Sequence, residues 1–351
     1  YPNCWRTDKP ILYYPLDSWF IGVSKIRNKL VSLNKEINWV PKSTGEKRFS
    51  NWLSSANDWN LSRSRYWGIP LPIWRTIDKS ETKVIGSVNE LRSEIIKSVN
   101  YKHMEFNPLE DFEADNMGDE NYDKIDLHKD TVDNIILSSS DGKPMYREKD
   151  LIDVWFDSGA MPYAQVHYPF ENKDLIDKKK MFPADYIAEG VDQTRGWFYT
   201  LHVISTIVFD SISYKNVISN GLVLDKNGQK MSKRLGNSID PFEIISKYGP
   251  DATRWYMISN SNPWDNLKFD IDGVNEISRK FFGTLFNTYS FFAIYANIDE
   301  FNVNKKNIPI EKRPEIDRWI ISELNRLIKE VDDAFDKYDA TKAARNISIF
   351  V

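Results

Sequence analysis

Lys230-Met231-Ser232-Lys233-Arg234 places three cationic side chains and a hydroxyl within five residues, in a loop flanked by Gly228 and Gly236. Such a set suits a polyphosphate. Ammonium and guanidinium groups donate to phosphate oxygens and offset the charge that develops on a departing phosphate. Taken alone, the same four letters read equally well as a solvated basic turn. The flanking sequence narrows the choice. The apolar run at 217–224 reads as a buried strand that delivers the loop. Asn227-Gly228 is a tight-turn pair, because both residues tolerate positive φ.

A second polar stretch, Glu189-Gly-Val-Asp-Gln-Thr-Arg-Gly196, follows a strand expected at 183–188 and precedes a helix expected at about 197–209. This is a βα unit with Gly190 in its turn and Asp192 near the helix start, where Asp192 could also be a plain helix cap. Ligands in such sheets bind at the carboxyl ends of the strands. The alternation of strand, helix and strand implies a parallel sheet of the α/β class. Neither a Gly-x-Gly-x-x-Gly nor a Walker-type phosphate loop occurs, so the usual dinucleotide and P-loop readings fail.

The remaining elements are read from periodicity. Residues 154–156 look like a strand and 157–160 its exit turn. Residues 21–33 read as an amphipathic helix with Ile26, Leu30 and Leu33 on one face. A short helix is expected at 241–248, with another beginning at Tyr248. The run 277–297 is long and apolar, but Arg279, Lys280 and Asn287 make it a buried bundle helix rather than a membrane span. Residues 314–338 form a long amphipathic helix with Ile316, Trp319, Ile320, Leu324, Leu327, Ile328 and Val331 on one side. Trp52, Trp59 and Trp74 are expected to be core.

The 351 residues allow two or three domains. A net charge of −4 gives no global attraction to nucleic acid, so any RNA contact must come from local patches. Cys4 is the only cysteine and the four histidines (His103, His128, His167, His202) are scattered, so neither a disulfide nor metal-ligand spacing is present. From Glu105 to Asp133 eleven acids stand against Lys124 and Lys129. Residues 76–150 are therefore read as a polar, solvated insertion of helices and loops. The chain opens without Met and ends inside a helical pattern, and both ends read as cuts.

Four stretches together resemble the class I aminoacyl-tRNA synthetases, most closely the eukaryote-like branch of the isoleucyl enzymes, which some bacteria also carry. They occur in the family's order: Asn60-Leu-Ser-Arg-Ser-Arg-Tyr-Trp-Gly-Ile-Pro-Leu-Pro72, Asp153-Val-Trp-Phe-Asp-Ser-Gly159, Ala188-Glu-Gly-Val-Asp-Gln-Thr-Arg-Gly-Trp-Phe198 and the basic loop. The resemblance implies the C-terminal half of a Rossmann-like parallel-sheet catalytic domain, followed by the start of an α-helical anticodon-binding bundle. It divides the chain into the end of an editing insertion (1–75), the acidic insertion (76–150), the second half of the nucleotide-binding domain (151–240), a stem-contact region (241–312) and the bundle start (313–351). The implied reaction is ATP-dependent formation of isoleucyl-adenylate and transfer to tRNA(Ile). Lys230 and Lys233 would be catalytic. Glu189, Gly190, Asp192, Gln193, Asn220, Gly221, Leu222, Val223, Ser232 and Lys233 would bind ATP or the adenylate, and Trp67 and Trp197 would wall the isoleucine pocket. ATP enters as substrate with Mg2+, and no zinc is expected. The full-length enzyme would be cytoplasmic and monomeric, with no DNA or membrane partner. The family's His-x-Gly-His stretch is absent, so residues 1–351 alone are expected not to catalyse the reaction. A non-catalytic RNA-binding or regulatory derivative of the fold, or a valyl-type enzyme, are the alternative readings.

Overall fold

A computed structural model describes residues 2–4, 7–304 and 308–351, with Lys233 described in its backbone alone. The chain divides into two compact units. One comprises Tyr1–Asn38, Gly45–Tyr186 and Asp192–Asn216, and the other Trp39–Thr44, Ile187–Val191 and Val217–Val351.

A three-stranded sheet has the order Ala184–Gly190, Tyr214–Asn220, Asn38–Val40. The Ala184 N–H donates to the Ser213 carbonyl (2.9 Å), so the first two strands begin side by side and run the same way. The helix Trp197–Phe209 is their crossover, as the βα pattern implies. Its residues from Phe198 to Thr206 are buried, which explains why that stretch is apolar all round. Side-chain amides lock the strand starts: Asn38 Nδ2 donates to Asn216 Oδ1 (2.9 Å), and Asn216 Nδ2 to the Asp185 carbonyl (2.8 Å).

Three expected elements differ. Residues 154–156 open the helix Val154–Ala164 rather than forming a strand. Asp153 caps it by accepting the Trp155 N–H (3.3 Å), and that cap overrides the β-propensity of Val-Trp-Phe. A Cβ on Gly159 of this helix would lie 2.8 Å from Ile204 Cδ1 and 3.0 Å from the Thr200 carbonyl, so glycine lets two helices approach closely. The run 217–224 is two strands, since Tyr214–Asn220 stops at Gly221 and Val223–Leu224 pairs in parallel with Leu267–Lys268. The expected helix at 21–33 is a 3-10 turn, Val23–Ile26, followed by the helix Arg27–Asn34; Leu30 and Leu33 are buried and Ile26 only partly.

The acidic insertion is more than helices and loops. It carries an antiparallel four-stranded sheet in the order Thr82–Val84, Ile73–Thr76, Pro144–Arg147, Leu137–Ser138. The helix Val88–Asn100 packs on it, burying Leu91 and Ile95 with Trp74, Val132, Ile135, Leu137 and Met145. The strands are only two to four residues long, too short to show a period-2 signal. Trp74 is core as expected, whereas Trp52 and Trp59 are only partly buried.

The second unit contains the expected helix Pro241–Tyr248, then Pro250–Asn260, Gly283–Ile298, Glu315–Phe335 and Ala340–Phe350. The 277–297 stretch is helical, but Gly283–Ile298 has no buried residue. Its apolar groups point all round, and burial reaches only Phe281 in the preceding turn, which stacks on Trp255. Among the described residues no helix is long and apolar enough to cross a membrane.

Candidate functional site

In the first unit, Asp153 ties two of the sequence stretches together. Its Oδ2 accepts from Trp59 Nε1 (2.9 Å) and from Arg63 Nη2 (2.6 Å), while Arg63 Nη1 also donates to the carbonyls of Asn60 and Ser62. Ser62–Arg63 pairs antiparallel with Leu151–Ile152. The Asn60 and Asp153 stretches are thus one hydrogen-bonded piece, built round a nearly buried carboxylate that has a cationic partner. Asp157 lies a turn further along the same helix and is half-buried. Burial, with the negative charge of Asp153 second, pushes its carboxyl up to about 6.

Asp192 and Gln193 lie in the 3-10 turn Val191–Arg195. The N-cap of the following helix is Gly196, and the side chain that reaches its first N–H is that of Gln193, not Asp192: Gln193 Oε1 accepts the Trp197 N–H (2.9 Å), and its Nε2 donates to Asp192 Oδ2 (3.2 Å). Glycine at 196 leaves room for this amide, because a Cβ would sit 2.5 Å from Gln193 Oε1 and 3.2 Å from the Trp155 ring and would displace it. Asp192 is left as an exposed carboxylate aligned by an amide. Thr194 is buried and accepts from Arg48 Nε (3.0 Å), and the Arg195 guanidinium covers the Trp52 ring at 4.8 Å. These contacts hold the turn from behind. Of the two expected pocket indoles, Trp197 is half-buried with Nε1 donating to the Ser158 carbonyl (2.8 Å). Trp67 is 79% exposed, and its ring stacks on His128.

In the second unit, Glu189 and Gly190 end one strand and Asn220 ends its neighbour, with Glu189 exposed. The neighbouring carboxyl ends are therefore Gly190 and Asn220; Leu224 belongs to another sheet. Gly221 touches backbone. A Cβ there would lie 2.4 Å from the Asp265 carbonyl oxygen, and its N–H donates to the Pro263 carbonyl (2.8 Å). Leu222 N–H donates to Asn266 Oδ1 (2.9 Å), and the side chains of Leu222 and Val223 are exposed. A flat apolar group could lie on them.

The basic loop is anchored by a carboxylate that the sequence reading passed over. Asp225 Oδ1 accepts the N–H groups of Asn227 (2.9 Å) and Gln229 (2.8 Å), and Oδ2 accepts from Asn237 Nδ2 (2.9 Å). These bonds, the Asn237 amide first, hold its carboxyl below the usual carboxylate range. Gly228 at φ +83° makes the turn that the Asn-Gly pair foretells. Asn237 also accepts the Ser232 N–H (2.9 Å) and donates to the Lys230 carbonyl (3.3 Å), so one amide clamps both ends of Lys230-Met231-Ser232. Met231 packs against the core of Ile244, Tyr256 and Leu267, while the Lys230 side chain is exposed. A partly buried methionine next to the exposed Lys230 presents that charge on a fixed backbone. The side chain of Lys233 lies outside the described residues. Among the described residues no group of three or more His, Cys, Asp or Glu converges as a metal site.

The backbone and motifs have clear counterparts. Its relatives include isoleucine–tRNA ligases of Bacteroides fragilis, 66% identical over the whole chain, Porphyromonas gingivalis (63%) and Clostridium acetobutylicum (44%). The chain spans only about 31% of the length of these relatives. Among solved structures, methionyl-tRNA synthetase of Mycobacterium tuberculosis bound by methionyl-adenylate matches 98% of this chain and 53% of that one, with a TM-score of 0.61 at 16% identity. The ternary complex of Agrobacterium radiobacter K84 LeuRS with tRNA and LeuAMS matches 84% of this chain and 36% of that one, with a TM-score of 0.60 at 19% identity. At such identities these two show the fold. Residues 317–351 match the anticodon-binding domain of tRNA ligases. Residues 7–270 match the family model of the class I tRNA synthetases (I, L, M and V), and the chain belongs to that family.

Proposed function

We propose that the protein is an isoleucine–tRNA ligase, activating L-isoleucine with ATP to isoleucyl-adenylate and passing the acyl group to tRNA(Ile). The observation that carries this is the 66% identity to an isoleucine–tRNA ligase along the whole chain. In the first step the isoleucine carboxylate attacks the α-phosphorus of ATP, the bond to the bridging oxygen breaks, and pyrophosphate leaves with the electron pair. The chemistry asks for alignment and for stabilisation of the leaving anion, more than for side-chain acid–base work.

Lys230 and Lys233 would neutralise the leaving pyrophosphate, with Ser232 donating to phosphate. The clamp from Asp225 through Asn237 favours this, since a cation on an ordered backbone loses less entropy on binding. Glu189 and Gly190 would lie along the adenylate, and Asp192 and Gln193 would hold ribose hydroxyls, which a carboxylate accepts from. Asn220 to Val223 would flank adenine. Trp67 and Trp197 would wall the isoleucine side chain, flat and apolar as a branched aliphatic group requires. Mg2+ would come with ATP on its phosphates, where a hard cation is commonly bound. The full-length enzyme would act as a cytoplasmic monomer.

The test is ATP–pyrophosphate exchange by the full-length protein with isoleucine, valine, leucine or methionine. Isoleucine should support exchange at the highest kcat/KM. Preference for valine would move the protein to the valyl enzymes, and no exchange with any of the four would favour a non-catalytic derivative.

A further inference from the structure

Trp67 lies on the connection between Ser62–Arg63 and Ile73–Thr76, where Tyr66 and Trp67 are 98% and 79% exposed. The next residue, Gly68, has φ +143°, a conformation that side-chain-bearing residues rarely adopt, so the backbone turns sharply there. The indole is not sunk in the core. Its ring partner is the imidazole of His128, 4.5 Å away between centroids and 20° from parallel.

His128 is itself about half exposed, but hydrogen bonds fix its ring and its backbone. Its Nδ1 is 2.7 Å from Asp126 Oδ1, and its backbone N–H donates to the same oxygen (2.8 Å). Thr131 Oγ1 donates to Asp126 Oδ2 (3.2 Å). The His128 carbonyl accepts the N–H groups of Thr131 (3.1 Å) and Val132 (3.0 Å), starting the helical turn Lys129–Val132. Val132 is buried in the insertion core beside Ile135, whose carbonyl accepts the Trp74 indole N–H (2.8 Å). Trp74 lies seven residues after Trp67. The far end of the Trp67 connection and the platform under its ring therefore rest on one core.

We propose that His128 is a positioning residue that fixes the plane of Trp67, so that the acidic insertion shapes the amino-acid pocket. This rests on the reading that Trp67 lines the isoleucine pocket. The contact is a flat ring on a flat ring, and Asp126 keeps the imidazole from turning away. Loss of one such ring pair corresponds to roughly twofold to tenfold in binding.

The test is steady-state ATP–pyrophosphate exchange by the full-length protein carrying Trp67→Ala, His128→Ala, His128→Gln or His128→Phe. His128→Gln keeps a hydrogen-bonding group for Asp126 and so preserves the turn if alanine does not. The expected result is an isoleucine KM raised roughly threefold to tenfold in His128→Ala and His128→Gln, with kcat and the ATP KM within about twofold of wild type. His128→Phe, which keeps a flat ring, should restore the isoleucine KM. If Trp67→Ala raises the isoleucine KM and neither His128→Ala nor His128→Gln does, the positioning role is overturned while the pocket stands. An equal rise in the ATP KM would also overturn it, as a general structural effect. If Trp67→Ala leaves the isoleucine KM unchanged, the pocket reading beneath the proposal falls.

Discussion

His202 offers the sharpest test of the crossover helix. Its side chain is fully buried in Trp197–Phe209, with Nε2 2.9 Å from the Leu30 carbonyl and the Phe49 ring 5.7 Å from its own. A carbonyl only accepts, so Nε2 carries the proton. Nδ1 is then a buried acceptor that finds no partner among the described residues. Protonating the ring would place a charge among apolar groups, and burial accordingly pushes its pKa down from 6.5 to about 4. The unfolded chain takes up this proton as pH falls through about 6.5, whereas the folded chain resists until about 4. Stability present above pH 6.5 is therefore lost between those values. At about 1.4 kcal/mol per pH unit the loss reaches about 3 kcal/mol at pH 4. The perturbation is His202→Gln, which can still donate to Leu30 but does not titrate. Urea unfolding of both chains from pH 8 to pH 4 isolates the histidine, because the carboxylates are common to both. The variant should gain about 3 kcal/mol relative to wild type as pH falls from 7 to 4. A free-energy difference that stays constant over this range would refute the neutral buried imidazole.

Asp157→Asn should stabilise the fold at neutral pH by about 1–2 kcal/mol, after allowing for the water that still reaches the carboxyl. The sign follows from a pKa raised to about 6: the charged form is penalised above that pH, and the gain should fade as pH drops towards 4, read as the difference in unfolding free energy. Asn237→Ala removes the clamp on Lys230-Met231-Ser232. It should lower kcat for exchange by on the order of tenfold to a hundredfold, with the isoleucine KM little changed; an unaltered kcat would mean the loop does not need the clamp.

The legible parts of the sequence were those with local causes. The Asn227-Gly228 turn, the Trp197–Phe209 helix and the Pro241–Tyr248 helix each carry their own turn, periodicity or proline start. The Val154–Ala164 helix was misread because three β-favouring residues outweighed a cap signal, Asp153, that was there to be seen. The strand break at Gly221 depends on backbone from Asp265, more than forty residues away, and has no local sign. The same holds for the site. Its charged loop was readable by composition, but Asp225 and Asn237 act through bonds to each other across the loop. Gln193, rather than Asp192, accepts the Trp197 N–H because its longer side chain reaches back to the helix start. The sheet in the acidic insertion escaped notice because strands of two to four residues are too short to show a period.

The most direct measurement of the central claim is isoleucine-dependent ATP–pyrophosphate exchange by the full-length protein with and without Lys233→Ala, alongside isoleucine binding to each. If the Lys230-to-Arg234 loop stabilises the leaving pyrophosphate, the variant should lose at least about a hundredfold in kcat, with isoleucine affinity within about twofold. Equal losses in exchange and in isoleucine binding, or exchange at the wild-type rate, would contradict it.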